Sequence, residues 1–133
     1  MFENIFIENS LKDHPRVESI LSRFKNSNVK YLEQYNNVWG RVKKPYLAKR
    51  TNLNLFLANK KGQLVKEAPN AYGVKGERHF YFIHAFNCIY ECKYCYLQGY
   101  FNSPDVVLFL NHDEIAAEMK RVLNQHPDET VWF

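Results

Sequence analysis

The chain has 133 residues, 46% hydrophobic and 24% charged, which suits one modest globular domain with a real core and excludes a chain disordered throughout. Three cysteines, an odd number in a single cluster, argue against a secreted disulfide scaffold and for a reducing, cytoplasmic setting. The net charge of +4 permits an acidic partner without demanding one.

The N-terminal stretch Met1 to Asn9 carries acids and no basic run, so it does not read as a signal peptide. The longest apolar run, Val106 to Leu110, is far too short to span a bilayer. Asp13 to Phe24 is expected to be a helix, with Asp13 or His14 as cap and Pro15 in the first turn. Val17, Ile20, Leu21 and Phe24 then share one face.

From Arg41 to Lys66 the charge is one-sided, with eight Lys and Arg residues and no Asp or Glu. Leu53, Leu55 and Leu57 alternate with Asn54, Phe56 and Ala58, which predicts a strand. Asn59-Lys60-Lys61-Gly62 reads as a turn into a second short strand near Gln63-Leu64-Val65, so a basic hairpin is expected. Such a hairpin could lie along phosphates, or be no more than a solvated face.

Residues Ala68 to Glu77 read as a linker, and His79 to Phe86 as a buried, aromatic strand. Val106 to Leu110 predicts a further strand. Asn111 with Glu114 forms a capping-box signature for a helix buried along Ile115, Met119, Val122 and Leu123. Thr130 to Phe133 starts another strand. Strand, loop, strand, helix, strand is the order of a βαβ unit in a parallel sheet. An apolar strand at the very end would be left as an open edge, so the sequence reads as the front part of a longer protein or as a truncated reading frame.

The three cysteines fall together as Cys88-Ile-Tyr-Glu-Cys92-Lys-Tyr-Cys95. Thiolates suit iron–sulfur clusters, zinc and copper. Three readings are open: a four-iron cluster with one iron free of protein ligands, a zinc site completed by His84 or His79, and buried or redox-paired thiols. The spacing favours the first, because zinc ligands usually come as paired knuckles a dozen or more residues apart.

With an aromatic residue before the last cysteine and a predicted strand before the first, the loop resembles the motif of the radical S-adenosylmethionine superfamily. The longer string Cys92-Lys-Tyr-Cys95-Tyr-Leu-Gln-Gly99 is similar to the spore photoproduct lyase family, as are Phe6-Ile-Glu8 and Leu110-Asn-His-Asp-Glu-Ile115. The resemblance implies a 4Fe-4S cluster held by Cys88, Cys92 and Cys95, with S-adenosyl-L-methionine on the open iron. It implies Tyr94 beside the adenine of that cofactor and Tyr96 in hydrogen-atom relay. The implied reaction repairs a thymine dimer in DNA through a 5′-deoxyadenosyl radical, fed by an electron donor such as a flavodoxin or ferredoxin. The aromatic residues near the cysteines are expected to form a dry shell around that radical.

The implied fold is α/β: a small α+β region over residues 1–78, carrying the basic hairpin, then the start of a partial (β/α) barrel over residues 79–133. In the family a later cysteine returns the hydrogen atom. None follows Cys95, so the 133 residues are expected to be inactive alone. The alternatives are a related radical enzyme on another substrate and a zinc-stabilised nucleic-acid-binding module.

Overall fold

The computed structural model describes residues 2–40, 52–69, 73, 75–90, 92–97, 100–101 and 103–133. Its elements in chain order are β1 (Phe2–Glu8), α1 (Pro15–Arg23), β2 (Asn28–Leu32), β3 (Leu53–Ala58), β4 (Val65–Glu67), β5 (Arg78–Phe82), β6 (Ala85–Phe86), β7 (Val106–Phe109), α2 (His112–Gln125) and β8 (Val131–Trp132). Short 3₁₀ turns follow β1 and β2. This is a mixed α/β fold with two sheets and two α-helices among the described residues. Contacts group the elements into two units that interleave in sequence: Met1–Asn59 with Ala85–Leu110, and Lys60–His84 with Asn111–Phe133.

In the first unit the sheet order is β2-β1-β3-β7-β6. β2, β1, β3 and β7 are parallel, and β6 runs antiparallel to β7. The local reason for α1 is as read from sequence: His14 Nδ1 accepts the Arg16 N–H at 3.2 Å, and Pro15 opens the first turn where its missing N–H costs nothing. Val17 of α1 packs with Ile5, Ile7, Leu55, Leu57 and Leu110 in an aliphatic layer. On the opposite face Phe6 and Phe56, opposite one another in the register, stack with centroids 4.7 Å apart. Covering both faces explains why Leu55 to Ala58 are all buried rather than alternating. Each buried Ile or Leu of this layer contributes about 1.5–3 kcal/mol.

The second unit holds a three-stranded sheet, β4-β5-β8, antiparallel between β4 and β5 and parallel between β5 and β8. Arg78 of β5 bonds to Glu67 at 3.3 Å and to Glu129 at 2.9 Å, so one guanidinium bridges β4 and the segment before β8. The Arg78 bond, and then His126, hold the Glu129 carboxyl below its ordinary range.

Three expectations need correction. The basic hairpin does not form: Gly62 turns the chain with a φ of 78°, but both edges of β3 are taken by β1 and β7, so β4 pairs with β5 instead. Of the basic stretch, residues 41–51 lie outside the described residues. The run His79 to Phe86 is not one buried strand. It breaks into β5 and β6 in different sheets, and Tyr81 and Phe82 are exposed. β7, α2 and β8 do not close a βαβ unit in one sheet, because β7 is already flanked by β3 and β6 and β8 joins β5.

The Asn111 cap also differs from the capping box. Its side chain turns to the Lys60 peptide, accepting from the Lys60 N–H at 2.8 Å and donating to the Lys60 carbonyl at 3.0 Å. Its amide also donates to Glu114 at 3.0 Å. Ile115 and Val122 are buried as expected, while Leu123 is exposed. Asn111→Ala removes all three bonds and is expected to cost about 2 kcal/mol, read as a lower urea midpoint with unchanged slope. Among the described residues no helix is long and apolar enough to cross a membrane.

Candidate metal centre

β6 runs from Ala85, opposite Leu108, to Phe86, opposite Val107. The chain therefore leaves the sheet at the amino end of β7, and the cysteine loop hangs from that end. Asn87 makes the exit with a φ of 61°, a left-handed conformation that Asn tolerates better than most residues. Its Nδ2 donates to the carbonyls of Ser103 at 2.6 Å and Asp105 at 2.7 Å, on the returning end of the loop.

Asp105 is itself anchored. Its Oδ1 accepts from the Asn54 N–H at 2.8 Å and from Asn54 Nδ2 at 3.1 Å. Its carbonyl accepts from Trp39 Nε1 at 3.2 Å. Asn4 Nδ2 donates to Asn54 Oδ1 at 2.8 Å, carrying the network to β1.

Within the loop, none of the three cysteines forms a disulfide. The Cys95 N–H donates to the Cys92 carbonyl at 2.9 Å, closing a turn across the C-x2-C half. The Tyr90 N–H lies 3.5 Å from Cys88 Sγ, a contact of the type that tunes thiolate-bound clusters. Cys88 is exposed, and Cys92 and Cys95 are half-buried. Among the described residues no three Cys, His, Asp or Glu side chains converge on one point that could hold a metal ion. The donor set fits a cluster by chemistry and by sharing one loop, and the loop does not draw the three sulfurs together.

The aromatic shell is smaller than expected and differently built. Tyr94 is 89% and Tyr96 91% exposed, and Tyr90 and Tyr100 also face solvent. Phe80, Tyr81 and Phe82 sit in the second unit. The packed aromatics lie at the base of the loop, where the sheet backs them. Phe86 stacks on Trp39 with centroids 5.4 Å apart, and meets Phe101 at 4.9 Å and Phe109 at 5.1 Å. Tyr35 reaches Phe109 at 5.7 Å. Burial, and then the nearby Glu8 carboxylate, push the Tyr35 phenol above its ordinary range. Sequence reasoning missed Tyr35 and Trp39. Their spacing, four residues apart between polar neighbours and ahead of Gly40, was the available signal.

The candidate zinc histidines belong to the second unit. His79 stacks on Trp132 with centroids 6.3 Å apart and planes at 8°, and His84 lies beside Phe82 at 6.3 Å.

No protein-family model matches the chain, and no curated protein matches it in sequence. Among solved structures it is similar to a spore photoproduct lyase complexed with dinucleoside spore photoproduct, with a TM-score of 0.65 at 18% identity over 94% of this chain. The chain spans 36% of the length of that one. At this identity the likeness is one of fold.

Proposed function

We propose that the chain is the cluster-binding portion of a radical S-adenosylmethionine enzyme which, like spore photoproduct lyase, acts on a damaged thymine pair in DNA. The observation that carries this reading is a conjunction. A C-x3-C-x2-C triad stands on a loop in a fold that matches a spore photoproduct lyase over 94% of the chain. Either part alone is weaker, since short motifs recur by chance and one fold hosts many activities.

In this reading Cys88, Cys92 and Cys95 each hold one iron of a four-iron cluster and leave one corner without a protein ligand. When bound, the cluster would supply one-electron reduction of S-adenosylmethionine, with a flavodoxin or ferredoxin as the class of electron donor. The residues of this chain bind and shield. Phe86, Phe101 and Trp39 pack on one another at the base of the loop and would shield that side of it from water, as chemistry that must be kept dry requires. Tyr94 takes the position beside the adenine and Tyr96 that of the hydrogen-atom relay. Residues 79–133 open the catalytic (β/α) domain, and residues 1–78 precede it. Lys60, Lys61 and Lys66 belong to the basic stretch that would meet DNA phosphates.

Anaerobic reconstitution with iron and sulfide tests the reading. The expected product is brown protein with about four irons per chain, whose reduced-state electron paramagnetic resonance spectrum changes on adding S-adenosylmethionine. A colourless protein that takes up zinc alone overturns it in favour of a binding module.

A further inference from the structure

We infer that Asn87, Ser103 and Asp105 form a clasp that fixes the base of the cysteine loop and so sets the register in which the three thiols can meet one cluster. This inference rests on the cluster-binding reading above. Both amide hydrogens of Asn87 are engaged by the returning end of the loop, at 2.6 Å to the Ser103 carbonyl and 2.7 Å to that of Asp105. A branched apolar side chain could adopt neither the left-handed backbone of Asn87 nor these bonds.

Ser103 is a polar residue only 2% exposed, and its hydroxyl is engaged with Asp105 on both sides. It accepts from the Asp105 N–H at 3.2 Å and lies 3.3 Å from Asp105 Oδ2. Through Asp105 the clasp is bonded to Asn54 of β3 and to Trp39, and through Asn54 to Asn4 of β1. The loop thus begins and ends on groups fixed to β1, β3 and Trp39 of the first unit.

Cys88 follows Asn87 directly, so the first ligand starts from a fixed backbone position. The Cys92–Cys95 turn then has only the intervening chain with which to reach it. A loop with tethered ends loses less conformational entropy when its tip gathers around a metal, which is preorganisation of a ligand set. Asn87, Ser103 and Asp105 are bonded to one another and act through the cysteines. They are positioning residues.

Asn87→Gly tests the clasp, because glycine keeps the left-handed backbone while removing both bonds. After reconstitution the variant is expected to bind about four irons but to lose them to a chelator about tenfold faster than the unaltered chain, within the range for loss of a group that orients metal ligands. Asn111→Ala, destabilised in the second unit, is the control and should lose iron at the unaltered rate. If Asn87→Gly fails to fold, Ser103→Ala takes its place and should also release iron faster. Unaltered chain that holds iron, with a clasp variant that holds it equally long, overturns the clasp alone. So does an Asn111 variant that releases iron as fast as the clasp variant. Unaltered chain that takes up no iron overturns the cluster reading, and the clasp with it.

Discussion

Glu8→Ala should lower the stability of the protein by about 3–5 kcal/mol, a large share of what a domain of this size possesses. Glu8 ends β1 and is 1% exposed. Its Oε1 accepts the Tyr35 N–H at 3.0 Å, in the 3₁₀ turn after β2, and its Oε2 accepts the Asn59 N–H at 3.1 Å, just past β3. A single carboxylate thus terminates three neighbouring strands. Alanine would orphan two backbone donors, each costing about 1–3 kcal/mol when left without a partner, and would leave a void as well. Glu8→Gln separates the two effects. It fills the same volume, but one of its two polar atoms is a donor facing a donor, so a loss of about 1–3 kcal/mol is expected. Urea denaturation checks both. A Glu8→Ala variant as stable as the unaltered chain would mean that the two N–H groups find water at no cost.

What could be read from the amino acids was what short-range chemistry decides. Pro15 and His14 mark the start of α1 because a cap and a first-turn proline act within four residues. The cysteine spacing was visible for the same reason, since a C-x2-C turn is closed by its own backbone. Pairing between distant strands was not visible. Nothing near Leu53 announces that β1 and β7 will occupy both of its edges. Asn59-Lys60-Lys61-Gly62 announced a hairpin that those two partners forbid. The clasp was hidden too: Asn87, Asp105, Asn54 and Asn4 are ordinary polar residues until a parallel sheet brings the amino ends of β1, β3 and β7 together. The two backbone bonds of Glu8 were hidden for the same reason. The tyrosines misled in the opposite direction. Aromatic residues close to a cysteine motif suggested a shell, yet only those with the sheet behind them pack, and Tyr94 and Tyr96 have none.

Cys88→Ala, Cys92→Ala and Cys95→Ala are each expected to reduce bound iron from about four per chain to below one, because two thiolates leave too few corners tied for a stable four-iron cluster. The fold should be almost unaffected. Cys88 is exposed and the other two are half-buried, so each substitution is expected to change stability by no more than about 0.5–1 kcal/mol. Metal loss without unfolding is the pattern that marks a ligand, whereas a buried structural thiol would show the reverse. His84→Ala adds the decisive contrast. A zinc site of three cysteines completed by His84 loses its metal in that variant as completely as in the cysteine variants. A cluster held by the three thiolates alone keeps its full iron content when His84 is gone. Iron and zinc measured by mass spectrometry on all four variants, beside their thermal unfolding curves, decide the matter. A single cysteine variant that retains four irons removes that residue from the ligand set, and the triad reading goes with it.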